Sequence, residues 1–215
     1  MFLASRTRPD IQFAVTYLSQ YCSNPGILHW KYAHHILKYM ASTVDFAIEL
    51  TKNPSLNVCA YTDSNWGGCV DDRKSMSGYV VFLGGVPVSW KTSKQKCVSL
   101  STMEAEYVGM TETAKELLWL TNIFSECANI DIKVEKPVLF CDNESAVCFC
   151  KNEIENNRSK HIDIKYHFVR KLYEDNVFIL KSVSSKENVA DIFTKCFSTE
   201  KFDQLKSNML TVISK

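Results

Sequence analysis

The order of the predicted elements favours a mixed α/β fold. Three stretches rich in β-branched and aromatic residues, NVCAYT, SGYVVFL and VPVSWK, predict strands, and Gly84-Gly85 predicts a hairpin between the last two. A long run of helix formers begins at Thr102, a residue that we expect to cap the helix. Strands and helices then alternate to the end of the chain, which predicts a sheet flanked by helices.

A helical pair is predicted ahead of the first strand. Apolar residues recur at helical spacing over residues 9–23, and Asn24-Pro25-Gly26 ends the pattern. A second amphipathic helix is predicted to follow, with an apolar face made of Trp30, Ala33, Leu37 and Met40. The composition changes at Asn53-Pro54-Ser55, so we predict a short helical segment over 1–54 and an α/β domain over 55–215.

The later elements of the α/β domain are predicted from their patterns in the same way. The helix from Thr102 extends through TMEAEYVGMTETAKELLWLTNIFSECAN, and the apolar run PVLFCDN predicts a buried strand. ESAVCFCKN predicts a helix, and EIENNRS predicts a polar loop. The chain then continues with a helix, a strand and two helical segments, HIDIKYHFVRKLYEDN, VFILKSVS, ENVADIFTK and EKFDQLKSNML.

The composition excludes several classes of protein. With 215 residues and 46% hydrophobic residues, the chain can bury a substantial core and is not a disordered tail. The formal net charge is +1, so any contact with a polyanion must come from local patches. No apolar run is long enough to cross a bilayer, and the opening MFLASRTRPD is too short for a signal peptide. We therefore expect a soluble protein with no membrane partner.

The cysteines indicate a reducing compartment. There are nine, with no CxxC pair, and most lie inside apolar runs where a free thiol behaves as a small hydrophobic group. We expect reduced thiols and a cytoplasmic protein, with the nucleus as the alternative compartment.

Four acidic residues fall at the ends of predicted elements. Asp63 ends the first strand and Asp142 ends PVLFCD. Glu106 lies one turn into the long helix, and Asp191 lies in the helical segment after the last strand. Each residue alone is explained by turn formation or by the helix dipole. Strand ends and helix starts are also where α/β sheets build their sites, so the four carboxylates are expected to converge.

Converging carboxylates require a cation, because like charges otherwise raise one another's pKa. Mg²⁺ prefers oxygen ligands and retains waters that leave room for substrate phosphates. Two such ions, about 3.5–4 Å apart, activate a water and stabilise the leaving oxygen of a phosphodiester. We therefore predict a phosphoryl-transfer nuclease that uses two Mg²⁺ ions, with Mn²⁺ as the alternative ion.

Several ordered motifs resemble one known family. YTDSNWGG, SWKTSKQ, LSTMEAEY, LFCDNESA, RSKHIDIKYHF and ENVADIFTK resemble the ribonuclease H domain of Ty1/copia-type retrotransposon Pol polyproteins. The stretch TRPDIQFAVTYLSQYCSNPGILHWKYAHHILKYM resembles the end of the reverse transcriptase region that precedes that domain. The resemblance implies a ribonuclease H-like mixed five-stranded sheet flanked by helices, preceded by a short helical remnant of the reverse transcriptase connection or thumb.

The resemblance assigns the catalytic, metal-binding acids to Asp63, Glu106, Asp142 and Asp191. Glu104 is the alternative to Glu106, since two residues on a helix point about 200° apart and only one can face the site. Glu106 is followed by Tyr107, which fits the apolar position of the family pattern, and is preferred. The family's frequent histidine before the last aspartate is missing from SVSSKENVAD. His161 in KHIDI is a candidate replacement, although a histidine that caps a helix start explains it equally well.

Substrate contacts are predicted from a basic stretch and from two polar residues. The basic stretch contains Arg158, Lys160, His161 and Lys165, and RNA/DNA hybrids are recognised mainly through phosphates and 2′-hydroxyls. Ser64 and Asn143 each follow a predicted catalytic acid and are candidate donors to substrate oxygens, with turn formation as the alternative explanation. The expected partners are an RNA/DNA hybrid and the upstream reverse transcriptase region of the same polyprotein.

Three functions are consistent with these residues. The first is Mg²⁺-dependent endonucleolytic hydrolysis of the RNA strand of RNA/DNA hybrids. The second is a catalytically inactive nucleic-acid-binding or interaction module derived from a retroelement polyprotein. The third is a transposase-like DNA nuclease of the same fold superfamily. A labelled-hybrid cleavage assay distinguishes them.

Overall fold

The computed structural model describes residues 1–50, 57–126, 135–152 and 163–213. The helices are α1 (Phe2–Arg6), α2 (Gln12–Ser19), α3 (Ile27–Ser42), α4 (Thr102–Glu126), α5 (Glu144–Lys151), α6 (Asp163–Glu174) and α7 (Thr199–Lys206). The strands are β1 (Phe46–Ala47), β2 (Val58–Asn65), β3 (Met76–Leu83), β4 (Val86–Lys94), β5 (Val138–Cys141), β6 (Ile179–Ser182) and β7 (Thr211–Val212). Two 3-10 helices cover Pro9–Ile11 and Val189–Phe193.

Five strands form one mixed sheet in the order β4-β3-β2-β5-β6. The pairs β2–β3 and β3–β4 are antiparallel, whereas β2–β5 and β5–β6 are parallel. This arrangement confirms the predicted ribonuclease H-like sheet and the predicted hairpin, whose turn residues Gly84 and Gly85 both have positive φ. The segment with Asp191 is a 3-10 helix, which is tighter than the helical turn that the sequence pattern predicts.

Both faces of the sheet are covered, because side chains of a strand alternate between its two faces. Val58 and Ala60 of β2 belong to the larger core, which includes residues of α4, α5 and α6. Cys59 and Tyr61 pack with the smaller core, to which the 3-10 helix Val189–Phe193 and α7 contribute. The central strand β2 is therefore held between α4 on one face and the 3-10 helix on the other.

The N-terminal helices differ from the predicted amphipathic pair. Trp30 and Leu37 are 67% and 60% exposed, so the predicted apolar face of α3 is wrong; Ala33 and Met40 are partly buried. The helical spacing does put these residues on one side of α3, but no element among the described residues covers Trp30 and Leu37 there. The predicted boundary at residue 54 lies outside the described residues and stays a prediction.

The N-terminal segment is nevertheless attached to the sheet. Trp90 of β4 donates its Nε1–H to the carbonyl oxygen of Ala4 at 2.7 Å, and β1 pairs with β7 near the end of the chain. Arg8 forms a buried ion pair with Asp10 at 2.7 Å. The hydroxyl of Tyr39 also donates to Asp10, at 2.7 Å, which links α3 to the residues before α2.

No helix in the described part of the chain combines the length and hydrophobicity that a membrane crossing requires. All eight cysteines that lie among the described residues are free thiols.

Candidate metal centre

Two parallel strands place Asp63 and Asp142 side by side. β2 and β5 pair in a register that sets Thr62 opposite Cys141, so the residues that follow, Asp63 and Asp142, lie next to each other. Asp191 approaches from the 3-10 helix, and carboxylate oxygens of the three aspartates all lie within 4.8 Å of one another. The predicted convergence of these three acids is what the structure shows.

Glu106 reaches the same place from α4. Ligand atoms of Glu106, Cys141 and Asp142 lie within 4.8 Å of one another. The side chain of Glu106 is buried, and its Oε2 has no hydrogen-bond partner among the described residues. A buried carboxylate oxygen without a partner is costly, so this atom is available to bind a ligand.

Glu104 has a different role at the start of α4. Its Oε2 accepts a hydrogen bond from the backbone N–H of Leu100 at 2.7 Å, and its own N–H donates to the hydroxyl of Ser101 at 3.2 Å. This pattern is similar to a capping box, except that Glu104 accepts from Leu100, the residue before the N-cap residue Ser101. Ser101 therefore caps the helix instead of Thr102, which is the first helical residue. With Glu104 engaged in the cap, the geometry selects Glu106 as the acid that faces the aspartates.

Two asparagine side chains fix the segment that contains Asp191. Asn188 accepts from the N–H of Ala190 at 3.1 Å and donates to the carbonyl oxygen of Thr62 at 3.0 Å, directly beside Asp63. Asn65 donates to the carbonyl oxygen of Thr194 at 2.9 Å. Sequence reasoning missed both residues. The asparagine before a helical turn was a visible N-cap signal, whereas its bond to β2 depends on the tertiary structure.

Two glycines allow the flanking elements to approach β2 closely. A Cβ atom at Gly78, the partner of Asp63 in β3, would lie 2.4 Å from the Cβ of Phe193 in the 3-10 helix. A Cβ atom at Gly109 of α4 would lie 2.4 Å from the Oγ of Ser64. Because neither glycine has a side chain, the 3-10 helix and α4 can both pack against β2 near Asp63.

The pKa values of the buried acids reflect burial and mutual repulsion. Burial, followed by the charges of Asp63 and Asp142, raises the pKa of Glu106 well above its usual value. Burial also raises the pKa of Asp63, although the nearby Lys195 acts in the opposite direction. Both shifts come first from burial, and the neighbouring carboxylates add to them: Asp63 and Asp142 at Glu106, and Asp191 at Asp63.

Lys195 is a basic residue inside the cluster that sequence reasoning missed. Its Nζ lies 2.6 Å from an oxygen of Asp191 and 3.0 Å from an oxygen of Asp63. Burial lowers the pKa of Lys195, but the two carboxylates outweigh this effect and raise it above its usual value. The hydroxyl of Thr194 donates to the other oxygen of Asp63. The spacing of four residues from Asp191 was the available signal, since such residues share a helix face.

The residues present fit a divalent cation that prefers oxygen ligands. The carboxylates form two overlapping groups that share Asp142, Lys195 contacts Asp63 and Asp191, and Oε2 of Glu106 has no partner among the described residues. Mg²⁺ and Mn²⁺ both accept carboxylate oxygens. Burial raises the pKa of the neighbouring Cys141 thiol well above its usual value, and carboxylates suit Mg²⁺ and Mn²⁺ better than a thiol does.

The predicted substrate residues have different placements. The hydroxyl of Ser64 is buried and shares a 2.9 Å hydrogen bond with that of Ser77, so its predicted substrate contact finds no support in this placement. Asn143 caps α5, where its Oδ1 accepts from the N–H of Ala146 at 2.9 Å. Lys165 is partly exposed on α6. The other three predicted contacts lie outside the described residues: Arg158, Lys160 and His161.

Comparisons with known proteins identify the relatives of the chain. It is 38% identical over 207 residues to the "Retrovirus-related Pol polyprotein from transposon TNT 1-94" of Nicotiana tabacum, which covers 96% of this chain and 15% of that protein. It is 39% identical over 197 residues to the "Retrovirus-related Pol polyprotein from transposon RE2" of Arabidopsis thaliana, which covers 91% of this chain and 13% of that protein. The chain thus spans about one seventh of these relatives.

The chain was also compared with family models and with solved structures. No family model matches the chain. Among solved structures, the chain is similar to LC11-RNase H1 in complex with an RNA/DNA hybrid, with 12% sequence identity and a TM-score of 0.47, over 69% of this chain and 98% of that one. The family assignment rests on the sequence relatives and on the sheet described above. The chain belongs to the family of copia-type retrotransposon Pol polyproteins and has a ribonuclease H-like fold.

Proposed function

We propose that this protein hydrolyses the RNA strand of RNA/DNA hybrids with the help of two Mg²⁺ ions, or of Mn²⁺. One observation supports this proposal above the others. Carboxylate oxygens of Asp63, Asp142 and Asp191 lie within 4.8 Å of one another, and Glu106, close to Asp142, has a buried Oε2 with no hydrogen-bond partner in the described part of the chain. Such a cluster is poorly suited to a purely structural role, because its charges repel one another. Metal-assisted phosphoryl transfer uses this arrangement of carboxylates.

The metal ions, when bound, supply a reactive water and stabilise the oxygen that leaves phosphorus. The protein holds the four carboxylates in place before the substrate binds. β2 and β5 fix Asp63 and Asp142 by their register, and Asn188 ties the Asp191 segment to β2. Glu106 is fixed by the capped α4. Side chains that are held by strands, a helix and supporting hydrogen bonds lose little conformational freedom when a metal ion or a substrate binds.

The hybrid is the proposed substrate, with the upstream reverse transcriptase region of the polyprotein as the proposed partner. Both proposals rest on the family relationship. The chain itself spans only 15% and 13% of the two polyproteins. Lys165 on α6 and Asn143 at the start of α5 are the proposed substrate contacts among the described residues. Phosphate contacts by lysine are consistent with sequence-independent binding.

The experiment compares four substrates at equal concentration in Mg²⁺: an RNA/DNA hybrid, double-stranded RNA, double-stranded DNA and single-stranded RNA, each with one labelled strand. We expect cleavage of the RNA strand of the hybrid alone. Cleavage of double-stranded DNA would favour a DNA nuclease of the same fold. Salt-dependent binding of the hybrid without cleavage would favour an inactive binding module. Either result would reject the proposal.

A further inference from the structure

Lys195 is the basic group that lies between two of the acids. Its Nζ is 2.6 Å from Asp191 and 3.0 Å from Asp63, which are charge-assisted hydrogen-bond distances. The two aspartate side chains are almost completely buried, whereas that of Lys195 is 38% exposed. The ammonium group therefore enters the cluster from the solvent side and makes contact with carboxylates that lie deeper.

The backbone of Lys195 is fixed close to the cluster. Its N–H donates to the carbonyl oxygen of Asp191 at 3.1 Å, and the preceding residue, Thr194, is held by the side chain of Asn65. The side chain itself has four methylene groups and no other hydrogen bond among the described residues. It can therefore leave the carboxylates without a change in the main chain.

We propose that Lys195 is a positioning residue that competes with the divalent cation for Asp63 and Asp191, and so sets the metal concentration at which the site loads. This inference rests on the proposed function. An ammonium group bonded to a carboxylate oxygen occupies one of its lone pairs and offsets part of its negative charge, and a cation bound at 2.0–2.1 Å, the distance that Mg²⁺ requires, draws on the same lone pairs and charge. The ammonium group of Lys195 and a cation bound to the same aspartates would also repel each other, because both are positively charged.

An ordinary structural ion pair is the competing explanation, and the two make different predictions. If Lys195 only stabilises the fold, its removal lowers stability and leaves the affinity for metal unchanged or weaker. If Lys195 competes with the metal, its removal lowers stability in EDTA and strengthens metal binding. The opposite directions of these two effects identify competition.

The test measures binding of Mn²⁺ to the full chain by electron paramagnetic resonance, and thermal unfolding in EDTA, for the wild type and three variants. Lys195→Met keeps the length of the side chain and removes its charge, whereas Lys195→Arg keeps the charge. Lys115→Met is the matched control, because Lys115 is also paired with an acid, Glu112, at 2.7 Å but lies nine residues beyond Glu106 on α4.

We expect Lys195→Met to bind Mn²⁺ about tenfold more tightly, the factor that corresponds to relief from a competing interaction of about 1.4 kcal/mol. Its unfolding temperature in EDTA should fall, while Lys195→Arg and Lys115→Met should bind Mn²⁺ as the wild type does. Equal or weaker binding by Lys195→Met would overturn the inference and leave the metal site intact. Failure of every variant and of the wild type to bind Mn²⁺ would overturn the proposed function as well.

Discussion

Replacing Gly109 by alanine tests how α4 places Glu106 against β2. The added Cβ would lie 2.4 Å from the Oγ of Ser64, 3.3 Å from the Oγ1 of Thr62 and 3.4 Å from the carbonyl oxygen of Asp63. The closest contact cannot be relieved by a simple rotation without cost, because the hydroxyl of Ser64 is bonded to that of Ser77 at 2.9 Å. Either α4 must move away from β2 or the bond between Ser64 and Ser77 must be distorted.

The expected magnitude follows from two opposing effects. Overpacking of a core costs about 1–3 kcal/mol. Alanine in place of glycine inside a helix gains about 1 kcal/mol. We expect Gly109→Ala to lower the free energy of unfolding by about 1–2 kcal/mol, since the contact at 2.4 Å places the overpacking cost at the upper end of its range. Displacement of α4 should also weaken Mn²⁺ binding, because Glu106 lies one turn before Gly109.

The assay is urea denaturation followed by circular dichroism, in a double-mutant cycle with Ser64→Ala. Removing the hydroxyl eliminates the closest contact, so the cost of Gly109→Ala should fall by more than half in the Ser64→Ala background. If Gly109→Ala is as stable as the wild type or more stable, α4 does not pack against β2 as described. An equal cost in both backgrounds would also refute the role of Ser64.

Two other predictions concern the elements around Asp63. Gly78→Ala should lower the free energy of unfolding by about 3 kcal/mol, because its Cβ would meet the Cβ of Phe193 at 2.4 Å, and a thermal melt close to that of the wild type would contradict this contact. The raised pKa of Glu106 means that the folded protein binds this proton more tightly than the unfolded chain does. In EDTA, the stabilisation from Glu106 should be complete below its usual pKa of 4.5 and should be lost as the pH rises through the raised value, by about 1.4 kcal/mol per unit of pKa difference. Glu106→Gln should flatten this part of the curve of stability against pH, and an unchanged curve would count against the shift.

The sheet and the convergence of the acids were predictable from short sequence patterns and from the general geometry of α/β sheets. Strand patterns and turn residues are encoded within short stretches, and the carboxyl ends of neighbouring parallel strands meet at one edge of a sheet. Asp63 and Asp142 could therefore be placed together from the sequence. Helix geometry showed that only one of Glu104 and Glu106 can face the site, and the resemblance to the family pattern favoured Glu106. The hydrogen bond that Glu104 accepts from Leu100 explains why Glu104 is unavailable.

The features that the sequence did not reveal depend on tertiary contacts. The close approaches at Gly78 and Gly109 exist only once the 3-10 helix and α4 pack on β2. The bond from Asn188 to the carbonyl oxygen of Thr62 joins residues 126 positions apart. The error in α3 has a similar origin, since Trp30 belongs to a periodic apolar pattern and yet faces solvent. Periodicity indicates a helix, but it does not say which apolar residues find a partner.

Cleavage of the RNA strand of a labelled hybrid by the wild type, by Asp142→Asn and by Asp175→Asn tests the central claim most directly. Asp175 is the control, because it is an exposed aspartate just after α6. We predict Mg²⁺-dependent cleavage by the wild type and Asp175→Asn, and a rate at least about a hundredfold lower for Asp142→Asn, since even residues that only support metal ligands contribute 10–100-fold. A hybrid that stays whole in Mg²⁺ with folded wild-type protein, or equal cleavage by all three proteins, would contradict the assignment of this site.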